Sequence, residues 1–367
     1  MFDLYSGNTP SRLNKEHFKG TVNWISSGEL KEHYIYSSKE QISEEAAKSL
    51  KLLPVGTFVI AIYGLEAEGV RGTGSIIQEP STISQACMSF IPKGVIENEF
   101  LYSWYKKHGN VIGIRYAQGT KQQNLSYDIL EKFRIAYPNT KEQEKLNKFI
   151  SLLDERISTQ SKIIEKMQTL IRGISNKLLN TDYGKKTRLG DILNECSERT
   201  KVNNQYEVLS STVNGLFSQR EYFSKDIASE NNIGYKILRL HDVVLSPQNL
   251  WMGNINYNDK FEIGIVSPSY KIFSIVDGYD KKYVSALLKT HRALYNYSLV
   301  SEQGASVVRR NLNSEAFEQL TFIIPPIANQ RAIGYTISLL RYRLEIENML
   351  KVTYLSQKQY LLRQMFI

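Results

Sequence analysis

The chain has 367 residues, 42% of them apolar, enough for two or three domains that each bury a core. No apolar run approaches the ~18 residues of a membrane-spanning helix, and Met1–Ser11 has neither signal-peptide nor transit-peptide character. The formal charge of +9 points to a polyanionic partner; two distant cysteines and five scattered histidines form no metal-ligand spacing and fit a reducing, cytoplasmic setting.

In the first third, short apolar runs alternate with turn residues. Gly56–Tyr63 predicts a buried strand, followed by a glycine-rich loop, Gly64–Gly74. Cys87–Ile91 predicts another strand, Asn98–Lys107 a short helix, and Lys132–Tyr137 a last strand. Lys141–Asn180 then predicts one long helix, with Thr140 as its N-cap and Gln143 as the capping-box partner. Leu146, Ile150, Leu153, Ile157, Ile164, Met167, Ile171, Ile174 and Leu178 recur at alternating spacings of four and three, interrupted only by Gln160. That is a heptad seam, which needs a partner helix.

Further along, Tyr206–Ser210, Tyr235–Leu240, Asp242–Ser246, Ile263–Val266, Tyr270–Val276 and Gln319–Ile324 predict strands, and Lys281–Thr290 a short helix. Gln330–Phe366 predicts a second long helix, with a seam at Ile333, Ile337, Leu340 and Leu344. Glu347, Lys351 and Lys358 then fall on seam positions before Tyr354, Leu361 and Met365 resume it. Either a stutter around Ile346–Leu350 restores apolar contact, or these charges face another subunit. The two helices are expected to pair, with a polar layer near Gln160 and Glu347 pinning the register. These helices also carry +7 of the +9 formal charge, so the globular parts are nearly neutral.

The two halves resemble each other. Asn124-Leu125 matches Asn311-Leu312, Pro138 matches Pro325, Gln143 matches Gln330, and Ser151-Leu152-Leu153 matches Ser338-Leu339-Leu340, all at one offset. Gln118-Gly119 matches Gln303-Gly304 two residues out of step. The expected fold is therefore α+β, built twice: globular residues 1–139, helix 140–180, globular residues 181–326, helix 327–367.

Catalytic signatures are absent from the sequence. Pro325-Pro326 follows isoleucines and is not the Pro-Pro-aromatic motif of an adenine methyltransferase. Gly69–Gly74 lacks the Lys-Ser/Thr of a phosphate loop, and His241-Asp242 shows no partner for acid–base work. No nuclease pattern is present, so no catalytic residue and no metal ligand is assigned.

Several loops do suit DNA. Arg, Asn and Gln make bidentate bonds to base edges, and Lys, Arg and Ser hold phosphates. The DNA-binding candidates are Arg12, Lys15, Ser26, Arg71, Lys121, Gln122 and Gln123 in the first half, and Arg220, Gln248, Asn249, Trp251, Arg309 and Arg310 in the second. Lys121 and Arg309-Arg310 stand out because they precede Asn124 and Asn311, at matching places in the two copies.

The order of weak motifs resembles the specificity (S) subunit of type I restriction–modification systems. They are Ser6–Ser11, Val22–Ser26, Leu53–Thr57, Gln118-Gly119-Thr120 with Asn124-Leu125, then Arg188–Ile192, Gly264–Pro268 with Tyr270, and Pro325-Pro326 with Gln330. The resemblance implies two target recognition domains, each reading half of a bipartite double-stranded DNA site. It implies that the two helices pack as an antiparallel coiled coil and space the half-sites in a pseudo-twofold repeat. It implies a non-catalytic subunit that recruits two methyltransferase (M) subunits and restriction (R) subunits. S-adenosylmethionine, ATP and Mg²⁺ are then expected on those partners and none on this chain. One departure is that Arg188-Leu189-Gly190-Asp191 opens the second domain, while no counterpart precedes Gly7-Asn8-Thr9-Pro10, so the edge of the first domain is expected to be incomplete. The competing readings are a stand-alone DNA methyltransferase or nuclease, and a coiled-coil scaffold that binds proteins.

Overall fold

The computed structural model describes residues 1–67, 69–222, 231–303 and 309–366. Gly304 of the Gln303-Gly304 pair and Glu68 of the glycine-rich loop lie outside the described residues. The chain folds as two compact units: residues 1–161 with 350–367, and residues 162–349. No helix among the described residues is long and apolar enough to cross a membrane.

Unit 1 is built on a five-stranded sheet ordered Phe2–Ser6, Cys87–Pro92, Phe58–Ala61, Gly74–Ile77, Tyr34–Ile35. Phe58–Ala61 is buried at every position, as an apolar run with no polar alternation requires. Helix Asn98–Tyr116 covers the sheet through Phe100, Leu101, Trp104, Tyr105 and Ile112. It is more than a turn longer than the sequence suggests, because Gly109 and Gly113 continue it rather than end it.

Unit 2 repeats the plan with a four-stranded antiparallel sheet ordered Leu193–Cys196, Lys271–Ile275, Val243–Leu245, Ile255–Tyr257. Position by position this is the order of the first four strands of unit 1. Helix Lys281–Leu287 takes the place of Asn98–Tyr116 and buries Tyr283, Val284, Ala286 and Leu287. A further helix, His291–Leu299, follows it and was not evident in the sequence. The predicted strand at Tyr206–Ser210 lies slightly later, at Leu209–Thr212, paired with Gly215–Ser218.

One predicted strand is corrected. Residues 132–137 form no strand among the described residues, whereas their unit 2 counterpart, Thr321–Ile324, pairs antiparallel with Lys185–Arg188. A strand needs a ladder partner for its N–H and C=O groups, and pattern alone cannot supply one.

The two long helices span Thr140–Leu179 and Ile327–Met365. Asn139 caps the first, its side chain accepting the N–H of Glu142 at 3.1 Å, so the expected Thr140–Gln143 capping box is not formed. Ile150, Leu153, Gln160, Ile164 and Ile171 are buried and Leu146, Ile157, Met167, Ile174 and Leu178 half-buried, while Phe149, Leu152, Ile163 and Leu170 between them are exposed. In the second helix, Ile333 and Ile337 are buried and Leu340 and Leu344 half-buried. The four-three spacing continues without a stutter: Glu347 is buried, and Lys351, Tyr354, Lys358, Leu361 and Met365 are half-buried.

Two of the three charged seam residues, Glu347 and Lys358, have partners within this chain. Glu347 accepts from Arg343 at 2.6 Å, and Lys358 forms an ion pair with Asp154. Within unit 1, Lys358 meets Asp154, Arg156 stacks over Tyr354 at 4.4 Å, and Leu146 lies with Met365 and Phe366. Residue numbers thus rise along one segment as they fall along the other. Lys107 donates to the carbonyls of Arg363, at 2.9 Å, and Phe366, covering the last turn where backbone acceptors have no helical partner.

Candidate nucleic-acid interface

In unit 1 the interface is built where the glycine-rich loop meets the segment Gln118–Asn124. Gln118 and Asn124 exchange backbone hydrogen bonds at 2.8 and 2.9 Å, closing a turn. Gly119 sits at φ 108°, where a Cβ would strike the Gln122 carbonyl, so glycine is required there. The turn leaves Lys121 and Gln122 exposed. Gln123 anchors it to the loop: its carbonyl accepts the N–H of Leu65 at 3.0 Å, and its N–H donates to the Glu66 carboxylate at 2.8 Å. That bond holds the Glu66 carboxyl below its usual range.

Arg71 completes the cluster. Its Nη2 donates to Gln123 Oε1 at 2.8 Å. Its stem runs over Gly113 of helix Asn98–Tyr116, where a Cβ would lie 2.6 Å from Arg71 Cγ. Gly72 likewise crosses the helix backbone at Asn110. The helix glycines therefore let the loop lie flat and set the direction of the Arg71 guanidinium.

Unit 2 places a guanidinium at the matching point by a different partner. The paired strands Ser301–Gln303 and Arg310–Leu312 correspond to the Gln118–Asn124 segment, and the loop 247–254 to the glycine-rich loop. Arg310 donates its N–H to the Gln248 carbonyl at 3.1 Å, and its guanidinium lies 4.2 Å from the Trp251 ring. In unit 1 the loop supplies the arginine and the turn the glutamine; in unit 2 the loop supplies the tryptophan and the turn the arginine. Asn249 precedes the one-turn helix Leu250–Met252, and Gly253 ends it at φ 92°. Gln248 and Arg309 are exposed beside Arg310.

Buried polar groups hold the unit 2 loop in place. Asn254 Nδ2 donates to the Ser211 carbonyl at 2.9 Å, and Asn256 Nδ2 to Ser211 Oγ at 2.7 Å. Lys289 Nζ donates to the Gly253 carbonyl at 2.9 Å and reaches toward the Val213 carbonyl at 3.5 Å. Burial lowers the Lys289 pKa to about 8. Sequence reading missed Glu66, Lys289, Asn254 and Asn256. Their role depends on which carbonyl or carboxylate folds against them, and no local pattern announces that.

The remaining candidates stand elsewhere. Arg12 is held by Glu40 in a two-pronged ion pair, both N–O distances 2.7 Å, and its guanidinium lies over Phe18 and Trp24. Ser26 bonds to Glu29 at 2.6 Å and starts a short 3-10 turn. Both make these contacts with neighbours other than the Arg71 cluster. Lys15 is exposed on the turn Lys15–Phe18, and Arg220 is exposed on the short helix Gln219–Tyr222. The described residues hold no cluster of His, Cys, Asp and Glu able to bind a metal.

One α+β framework is present twice, each copy leads into a long helix, and each holds a guanidinium where a loop meets the following segment. Residues 1–169 match the family model described as the type I restriction modification DNA specificity domain. The specificity subunit of the MjaIX type I restriction enzyme of Methanocaldococcus jannaschii is 30% identical over 174 residues, 45% of this chain and 39% of that protein. The EcoR124I/EcoR124II specificity subunit of Escherichia coli is 30% identical over 155 residues, 41% of this chain and 38% of that protein. The matched part thus spans about two fifths of the length of these curated relatives.

The solved S subunit of a type I system from M. genitalium shares the fold at a TM-score of 0.57 and 16% identity, over 100% of this chain and 94% of that one. A chain from a structure on complex assembly and conformational transition of the type I system gives 0.58 at 12% identity, over 94% and 90%. Residues 1–169 are thus similar to the specificity domain of type I restriction–modification systems, and the chain shares the fold of the solved M. genitalium S subunit.

Proposed function

We propose that this chain is the DNA-reading subunit of a type I restriction–modification complex. Each unit's globular part reads one half of a bipartite site, and the two long helices, paired antiparallel, set the spacing between halves. The chain performs no chemistry. Two methyltransferase subunits carrying S-adenosylmethionine, and restriction subunits using ATP and Mg²⁺, act on the site it selects.

The observation that supports this most directly is the duplicated guanidinium, Arg71 against Gln123 and Arg310 against Trp251, at one place in two frameworks. A guanidinium fixed by a neighbour has already lost the rotamer freedom that base or phosphate contact would otherwise cost. Near-neutral globular parts fit a reader whose partners supply much of the phosphate grip. Co-expression with methyltransferase subunits, followed by methylome sequencing, tests the reading. A bipartite adenine-methylated motif that depends on this chain is the expected result; methyl transfer by the isolated chain, or no motif, would sink it.

A further inference from the structure

In unit 2 the first part of helix Ile327–Met365 packs against helix Lys281–Leu287 at Gly334. A Cβ there would lie 2.5 Å from Asp280 Oδ1 and 2.6 Å from the Tyr283 nitrogen, so the two backbones touch. Arg341 stands seven residues beyond Gly334, and Lys289 seven beyond Lys282. Two helical turns advance each by about 10 Å from the contact. Arg341 adds to the burial that lowers the Lys289 pKa, so the two cations lie within electrostatic reach of each other. Both are half-buried, and neither forms an ion pair among the described residues. Burial lowers the Arg341 pKa too, and Asp259 is the carboxylate that opposes this. Unit 1 fills the same two places differently. Lys106 and Lys289 each follow the first residue of the corresponding helix by eight residues. Ser151-Leu152-Leu153 matches Ser338-Leu339-Leu340, so Asp154 corresponds to Arg341. Asp154 pairs with Lys358 and lies within electrostatic reach of Lys106. The place is thus charge-compensated in unit 1 and holds two cations in unit 2.

We propose that Lys289 and Arg341 hold one phosphate of the DNA backbone beside the half-site that unit 2 reads. The inference rests on the DNA-reading role proposed above. The Arg341 guanidinium can take two phosphate oxygens in a fork. The Lys289 ammonium has three donors and directs two of them at the Gly253 and Val213 carbonyls, which leaves one for a phosphate. An anion between the two cations offsets their mutual repulsion in a half-buried place. Gly253 closes the turn that carries Trp251, which faces Arg310, so the phosphate held here belongs to a nucleotide next to those the loop meets. Such a contact fixes position without reading sequence. The Asp154 carboxylate would repel a phosphate at the matching place in unit 1, so the clamp serves one half-site only.

The test uses the full chain assembled with methyltransferase subunits, on a duplex bearing its methylated motif and on an unrelated duplex. Arg341→Gln should weaken binding to both by a similar factor, about 3–10-fold, and lower the slope of log affinity against log salt by about one. The methylated motif should stay unchanged, and Arg341→Lys should restore most of the slope. Ethylation of single phosphates should interfere with binding at one phosphate beside the half-site that Arg310→Ala relaxes, and Arg341→Gln should abolish that interference. An unchanged salt slope, an altered motif or an identical interference pattern would each overturn the site. So would weaker assembly with methyltransferase subunits at unchanged DNA affinity. A complex that binds no DNA before any substitution would instead sink the reading role itself, and the clamp with it.

Discussion

Gln143 Oε1 accepts the N–H of Glu97 at 2.9 Å, tying the first turn of a long helix to the residue that opens helix Asn98–Tyr116. The same amide donates to the carbonyls of Val95, at 2.8 Å, and Pro138, at 2.9 Å. In unit 2, Gln330 Oε1 accepts the N–H of Asp280 at 3.0 Å and its Nε2 donates to the Pro325 carbonyl at 2.9 Å. Both glutamines are buried, at 0% and 3% exposure. An amide is suited to this place because it accepts and donates at once, carries no charge and cannot be replaced by a carboxylate. Gln143→Leu and Gln330→Leu should each destabilise their own unit by about 2–4 kcal/mol, since the backbone groups held by the amide lose this side-chain partner. Shifts in urea midpoint at unchanged slope would show this; a change under about 0.5 kcal/mol would count against the clamp.

The two guanidiniums should act on separate half-sites. Arg71→Ala is expected to relax one half of the methylated motif and Arg310→Ala the other, each at about 1–3 kcal/mol of binding. Trp251→Ala should act in the same direction as Arg310→Ala but more weakly, by about 0.5–1 kcal/mol, because it frees the guanidinium without removing it. Methylome sequencing of each variant complex reads this. Arg12→Ala serves as a contrast, and its motif should be unchanged because Glu40 already holds that arginine.

Lys358 and Asp154 form an ion pair within the helix seam, at 20% and 31% side-chain exposure. Lys358→Met alone should destabilise unit 1 by about 1–3 kcal/mol, because Asp154 loses its partner in a half-buried place. Combined with Asp154→Leu, stability should return to the original value or exceed it. A double-mutant cycle by thermal unfolding measures the coupling; strict additivity would mean the pair is incidental.

Lys289 predicts a pH dependence. In the unfolded chain it titrates near 10.4, while in the fold burial, with a smaller contribution from nearby Arg341, lowers its pKa to about 8. Between these values the unfolded chain holds the proton and the folded one does not. Unit 2 should therefore gain stability as pH rises from about 8 to 10, by up to about 2–3 kcal/mol, and show no Lys289 contribution to the slope below 8. Lys289→Met should remove that part of the slope. Denaturation of both proteins across pH 7–10 decides it, and identical slopes would refute the assignment.

Periodicity determined the long helices almost to the residue. A heptad seam is a local pattern, and the helix it encodes satisfies its own backbone. Internal repetition likewise showed that one plan is used twice, and aligned Gln143 with Gln330 and Lys121 with Arg309-Arg310. Tertiary structure decided the rest. Residues 132–137 have the pattern of a strand, yet their state depends on a distant partner that unit 2 holds at Lys185–Arg188. Glu347, Lys351 and Lys358 looked like a break in the seam, yet Arg343 and Asp154 allow Glu347 and Lys358 to stay in it. Arg12 and Arg71 are chemically alike in sequence. Only folding sets Arg12 against a carboxylate and Arg71 against a neutral amide, so the charge of one guanidinium is paired and that of the other is not paired by its glutamine neighbour.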